Sequence, residues 1–277
     1  MSAMSPMRDG PVGIFDSGVG GLSVLRPLRG LLPAEDLVYV ADAAWCPYGP
    51  KPAAAIRERA LGIAGALVGR GAKLIVVACN SASTAALAAL RERYPDTPFV
   101  GMEPAVKPAA AQTRSGAVGV LATAATARGE ALARLVDRFG CGVAVHVAVP
   151  EGLVELVEDG RGESPEAEAL LAPILAGWRA AGVDAIALGC THYPFAQAVV
   201  ERLAGPRVAV IDPAPAVARQ AARVLAAARG ACAGRGGPGR RRLTFLTTGD
   251  PQALRAAVER LLPPGWAAGA AFEELAS

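Results

Sequence analysis

Several kinds of segment are missing from this chain, and each absence narrows the reading. No stretch near the N-terminus joins a basic start to an uninterrupted apolar run, so no secretory signal is expected. No apolar run approaches the roughly 20 residues of a membrane span, which leaves the cytoplasm as the expected location and no membrane among the expected partners. The five cysteines, Cys46, Cys79, Cys141, Cys190 and Cys232, are odd in number, and no two are close enough for a CxxC-type zinc or redox motif. Neither a metal nor a disulfide framework is expected. Charge of one sign is scarce as well, since 28 basic against 25 acidic residues leave a net charge of +3. Much of that excess lies in residues 230–242, an Arg-, Gly- and Pro-containing segment that reads as an exposed loop. Its Arg240-Arg241-Arg242 run has no interleaved aromatics and reads as a solvated edge, so no nucleic acid is expected.

What is present is ample apolar material. The 277 residues are 52% hydrophobic, enough for one large packed domain or two smaller ones. Two stretches organise the rest. In Lys73-Leu74-Ile75-Val76-Val77-Ala78-Cys79-Asn80-Ser81, an apolar β-branched run ends in a thiol followed by polar residues. In Asp184-Ala185-Ile186-Ala187-Leu188-Gly189-Cys190-Thr191-His192, the design is repeated. Short apolar runs of this kind read as inner strands of a parallel sheet. A thiol just past such a strand sits at its carboxyl end, where open α/β sheets bind ligands.

The remaining chain alternates strand and helix. A first ten or so residues without periodicity read as a disordered leader. Val12-Gly13-Ile14-Phe15 is a strand, and Asp16-Ser17-Gly18-Val19-Gly20-Gly21 is a Gly-rich turn into a helix from about Leu22. Such a turn could hold an anion on its backbone N–H groups, although it fits neither a Walker A loop nor the dinucleotide fingerprint. Asp16 could cap that helix, accept a substrate ammonium or orient a thiol. A strand over 37–40 leads to a Pro47-Tyr48-Gly49 turn that could line a pocket. Further elements are a helix over 53–70, the strand before Cys79, a helix over 85–94 and a strand over 99–102. After Glu103-Pro104-Ala105 the pattern starts again. Residues 118–124 echo 12–18, residues 144–148 echo the second strand, and residues 186–190 echo 75–79, all in the same order. A strand at 208–213, a helix over 214–229, a strand at 243–248 and a helix capped by Asp250 with Pro251 at its first position close the chain. The expected fold is α/β: two similar doubly wound α/β domains with mainly parallel sheets and a site in the cleft between them. The expected boundaries are 11–104 plus 213–265 for the first domain and 105–212 for the second.

Two thiols on opposite walls of a cleft would place a proton carrier on each face of a substrate carbon, which suits stereoinversion. Cys fits that task because its ordinary pKa, about 8.5, lets it serve as thiol or thiolate near neutrality. No lysine stands in the strand-end motifs in a setting suited to a pyridoxal phosphate Schiff base, so the carbanion must be stabilised by fixed dipoles and hydrogen bonds. The hydroxyls of Ser17, Ser81, Thr123 and Thr191 are natural donors to substrate carboxylates, and Asp16 and His192 could assist the two thiols. A hydrolase pairing of Cys190 with His192 is the rival for that segment. It leaves Cys79 without a role, and residues two apart are not generally oriented as a pair.

At these residues the chain resembles the cofactor-independent aspartate/glutamate racemases. The resemblance spans nearly the whole sequence and rests on residues 13–21, Pro47-Tyr48-Gly49, Ala78-Cys79-Asn80, Leu188-Gly189-Cys190-Thr191-His192-Tyr193-Pro194 and Thr247-Thr248-Gly249-Asp250. It implies interconversion of L- and D-glutamate, supplying D-glutamate for peptidoglycan, without metal or pyridoxal phosphate. It further implies that Cys79 deprotonates D-glutamate and Cys190 L-glutamate, and that Asp16, Ser17, Tyr48, Gly49, Asn80, Ser81, Thr191 and His192 bind substrate; Pro47, from its turn, and Thr123, from its hydroxyl, are expected beside them. A small molecule, glutamate, is then the expected partner, and a homodimer is compatible with the chain. Three positions depart from the family pattern. Ser81 stands where Thr is common, Trp45-Cys46 adds a third thiol near the pocket mouth, and either Glu158 or Glu151 could be the family's supporting carboxylate. A racemase for aspartate or another amino acid, and a two-lobed binding protein without catalysis, are the alternatives.

Overall fold

A computed structural model describes residues 10–140, 142–229 and 242–275. The expected leader, most of the Arg-rich loop, Cys141 and Cys232 lie outside the described residues. In chain order the elements are β1 (Val12–Asp16), α1 (Leu22–Leu31), β2 (Leu37–Ala41), α2 (Ala53–Gly69), β3 (Leu74–Val77), α3 (Asn80–Arg93), β4 (Phe99–Gly101), α4 (Val106–Gln112) and β5 (Ala117–Ala122). They continue with α5 (Ala124–Arg128), α6 (Glu130–Phe139), β6 (Ala144–Ala148), α7 (Leu153–Glu158), α8 (Pro165–Ala180), β7 (Ala185–Gly189) and α9 (Gln197–Ala204). The chain ends with β8 (Ala209–Ile211), α10 (Ala214–Arg229), β9 (Leu243–Thr247), α11 (Pro251–Leu261) and β10 (Ala271–Glu274).

Two separate parallel sheets result, one ordered β10-β9-β2-β1-β3-β4 and the other β6-β5-β7-β8. The echo read from the sequence is a topological repeat. The order β2-β1-β3-β4 of the first sheet recurs as β6-β5-β7-β8 in the second, each strand four places later in the chain. Within each unit the thiol-bearing strand lies beside the strand that opens the unit, β3 beside β1 and β7 beside β5. Helices cover both faces, so the strands are apolar throughout rather than alternating. In β1, Val12 and Ile14 join one core cluster and Phe15 the other. The chain leaves the first sheet after β4, and Ala105, Val106 and Ala109 already pack under the second. It returns where Ala214, Val217 and Ala218 of α10 join the core of the first.

Two expectations fail. The helix expected over 85–94 begins at Asn80, because the polar run after Cys79 is the first turn of α3 and not a loop: Cys79 is its N-cap, and its Sγ accepts the Ala82 N–H at 3.5 Å. Small polar residues are poor in helix interiors but natural at such starts. The sequence reading also has no strand after residue 262, whereas β10 extends the first sheet parallel to β9. Its only large apolar residue, Phe272, stacks on Phe245 at 4.6 Å, so this strand owes its existence to tertiary pairing.

Candidate active site

Both thiols arrive at the carboxyl ends of their strands, on facing edges of the two sheets. Pairing of Phe15 with Val77 sets Ser17 beside Cys79, and pairing of Ala122 with Gly189 sets Thr123 beside Cys190. Each unit thus brings a hydroxyl and a thiol to the same place. Cys79 and Cys190 are both buried and line one cavity with Ser17, Pro47, Tyr48, Gly49, Asn80, Ser81, Thr123, Thr191 and His192. Every expected site residue is therefore at this cavity except Asp16, which lies behind the wall. Val154 of α7 also lines it and had no motif to announce it.

The walls meet closely. Ser81 Oγ and Thr123 Oγ1 are hydrogen-bonded at 2.9 Å across the cleft, Ser23 Oγ donates to the Thr191 carbonyl at 3.0 Å, and Ala125 N–H donates to the Gly49 carbonyl at 3.0 Å. About 10 Å³ of water-accessible space remains inside. That is room for about one water, whereas pockets that hold small molecules run to about 300–1,000 Å³.

The Gly-rich turn is shaped by this contact. A Cβ on Gly20 would lie 2.3 Å from His192 Nδ1 and 2.6 Å from Thr191 Oγ1, and one on Gly18 would lie 2.0 Å from Glu158 Oε1. The turn does hold an anion, and it is the protein's own: Val19 N–H donates to Glu158 Oε1 at 2.9 Å. Gly20→Ala should push His192 away from Cys190, lowering kcat/KM about tenfold with little change in melting temperature. Steady-state kinetics and thermal denaturation together check this, since a sub-ångström displacement in a packed site is felt mainly in the chemistry.

His192 is the hub of the second wall. Its Nδ1 lies 3.7 Å from Cys190 Sγ and its Nε2 2.6 Å from Glu158 Oε1. The expectation that residues two apart would not be oriented as a pair is overturned. Cys190 is not in a helix, and the chain folds back between β7 and the short 3₁₀ turn at Tyr193–Ala196, bringing the ring over the thiol. Of the two carboxylates left open by the sequence, Glu158, at the end of α7, is the one in contact with His192. Burial alone would make His192 less basic, but its hydrogen bonds with Cys190, Cys46 and Glu158 outweigh this and raise its pKa well above the usual value. Burial works against ionisation of Glu158 too, yet His192 and the Val19 N–H hold its carboxyl below the ordinary range. The two shifts agree on a charged pair.

On the first wall, burial and the neighbouring Asp16 push the Cys79 thiol well up, against the opposing pull of the Ala82 N–H at the start of α3. Asp16 is itself fully buried and raised by burial, against the lowering effects of His192 and of the Gly21 N–H, which it accepts at 2.8 Å. It performs the cap-like role while standing next to the thiol.

Tyr48 offers the cavity its ring and not its hydroxyl, which donates to buried Asp42; Thr248 Oγ1 also donates to Asp42, at 2.8 Å. Asn80 is different. Its amide is buried at the cavity, and neither its nitrogen nor its oxygen has a hydrogen-bond partner. An unsatisfied buried amide costs about 1–3 kcal/mol, which a ligand between the walls would recover.

Comparison with known proteins fits this geometry. The family model for Asp/Glu/hydantoin racemases matches residues 22–221. A curated glutamate racemase of Pseudomonas aeruginosa is 50% identical over 92% of this chain and 93% of its own length. Among solved structures, glutamate racemase from Thermus thermophilus in complex with β-chloro-D-alanine is 39% identical with a TM-score of 0.77, covering 97% of each chain. The Escherichia coli enzyme in complex with L-glutamate and the activator UDP-MurNAc-Ala is 33% identical with a TM-score of 0.80, covering 96% of this chain and 98% of that one.

Proposed function

This chain belongs to the Asp/Glu/hydantoin racemase family, and from that premise we propose that it interconverts L- and D-glutamate by proton transfer between two thiols. The observation that carries the mechanism is the meeting of Cys79 and Cys190, from equivalent strands of two repeated sheets, at one cavity.

Cys190, as thiolate, removes the α-proton of L-glutamate, and the Cys79 thiol delivers its proton to the opposite face of the carbanion. D-glutamate leaves a thiol at Cys190 and a thiolate at Cys79, and the reverse reaction restores the start. The Cys79 thiol, held protonated by burial and Asp16, suits the donor role, while the charged His192 ring is placed to donate a hydrogen bond from Nδ1 to the Cys190 sulfur. The barrier to be removed is about 8–23 kcal/mol, most of it the cost of the carbanion. The Asn80 amide, the hydroxyls of Ser17, Ser81, Thr123 and Thr191, and the N-terminus of α3 supply fixed dipoles for the substrate carboxylates. Entry requires the cleft to widen by parting such contacts as Ser81–Thr123, and closure then excludes water.

The boundaries 11–104 plus 213–265 and 105–212 are proposed for the two lobes, with β10 added to the first. Residence in the cytoplasm, synthesis of D-glutamate for the cell wall and a homodimeric state complete the proposal. Among the described residues no helix is long and apolar enough to cross a membrane, and light scattering would determine the assembly.

The test is incubation of either enantiomer of glutamate in deuterated water. Loss of optical rotation with deuterium at the α-carbon of the product, and little in the recovered substrate early on, is the expected result of two bases. Exchange with aspartate and not glutamate would move the substrate assignment, and binding without exchange would leave a binding protein.

A further inference from the structure

Cys46 is a thiol for which the proposed reaction has no use. It is not among the residues lining the substrate cavity, and its Sγ lies 3.4 Å from Glu158 Oε1. Cys46, Glu158 and His192 therefore converge: one sulfur, one carboxylate oxygen and one imidazole nitrogen, all within 4.8 Å of one another. Cys46 is half-buried and the Glu158 side chain is 24% exposed, so the cluster can be reached from solvent even with the cleft closed.

We propose that Cys46 Sγ, Glu158 and His192 Nε2 form a binding site for a borderline-soft divalent cation of the zinc class, and that its occupation switches off racemisation. Sulfur, imidazole and carboxylate are the three ligand types zinc takes, with a fourth position left for water. Bonds of about 2.0–2.3 Å set tetrahedral ligands roughly 3.3–3.7 Å apart. The sulfur–carboxylate separation already fits. The His192–Glu158 hydrogen bond must lengthen by about 1 Å, or the second carboxylate oxygen must take over, within what a side-chain rotation supplies. Binding displaces the Cys46 thiol proton and the Nε2 proton to solvent. With Nε2 on the metal, His192 loses its charged pair with Glu158 and can no longer serve Cys190. The Gly18–Val19 backbone, packed against the same carboxylate, supplies the outer contact.

Cobalt(II) is the direct probe, because a bound thiolate gives it a near-ultraviolet charge-transfer band. The full chain without substrate should show that band and lose it in Cys46→Ala, while Cys79→Ala keeps it. Zinc should inhibit the parent protein, and Cys46→Ala should weaken that inhibition at least about tenfold, each protein being measured against its own metal-free activity. Absence of the band in the parent, its survival in Cys46→Ala or its loss in Cys79→Ala would overturn the site. Zinc inhibition as strong in Cys46→Ala as in the parent would overturn the switch. Inhibition rests on the racemase reading, whereas the cobalt band does not, so the two can fail separately.

Discussion

Replacement of either Cys79 or Cys190 by Ala is expected to lower glutamate racemisation by at least about 10³-fold and to leave the fold standing. Both thiols are buried at strand ends, but neither fills a large part of the core. The main structural loss on removing Cys79 is its cap on α3, worth about 1 kcal/mol. Thermal denaturation should therefore register a shift of a few degrees against a near-complete loss of turnover. The variants should also differ from each other. Cys79→Ala keeps the base facing L-glutamate and can wash its α-proton into deuterated solvent without inverting it, whereas Cys190→Ala can do so only with D-glutamate. Washout with the opposite preference would exchange the two assignments. Turnover close to that of the parent in either variant would remove that residue from the mechanism.

A second large effect is expected at His192. His192→Gln should reduce kcat/KM about 10²-fold, because the charged ring beside the Cys190 sulfur is gone. Enantiomers have equal free energy in water, so kcat/KM must fall equally in both directions, and any asymmetry can appear only in kcat and KM separately. Glu158 acts through His192 and is a positioning residue, for which the pH profile is the telling readout. The carboxylate 2.6 Å from Nε2 helps to raise the pKa of His192 above the ordinary imidazole value. Activity that depends on the imidazolium is present below that raised pKa and fades as pH rises through it. Glu158→Gln keeps the shape and removes the charge, so the basic limb should move to lower pH by about one unit, equivalent to about 1.4 kcal/mol. A variant that lost activity evenly at every pH would mark Glu158 as merely structural.

Much of this site is legible residue by residue. Cys79 and Cys190 announce themselves because a thiol after a β-branched run has one place to go in a parallel sheet, its carboxyl edge. Ser17 and Thr123 follow from the repeat, since pairing beside equivalent strands sets each next to its thiol. Val154 and Glu158 were not fixed in the same way. They lie on α7, a helix of 6 residues whose apolar and acidic pattern would serve an ordinary surface helix equally well. Asp42 has no local signature, since its partners Tyr48, Arg59 and Thr248 come from three separate segments and no sequence pattern links them. The spacing of Cys190 and His192 argues against a pair only where the segment is helical, and between β7 and the 3₁₀ turn it is not. A non-helical turn imposes no such rule.

By itself the sequence determined the parallel α/β class, the twofold repeat and the positions of both thiols. These follow from local alternation of buried strands and helices and from the chemistry at strand ends. Only the tertiary structure decided which groups face the thiols across the cleft, which carboxylate holds His192, that the Asn80 amide lacks a partner, and that β10 exists. Each of these depends on contacts between residues far apart in the chain, as Glu158 with Val19 and Phe272 with Phe245 illustrate. Periodicity records which face of an element is buried. It carries no information on what that face meets.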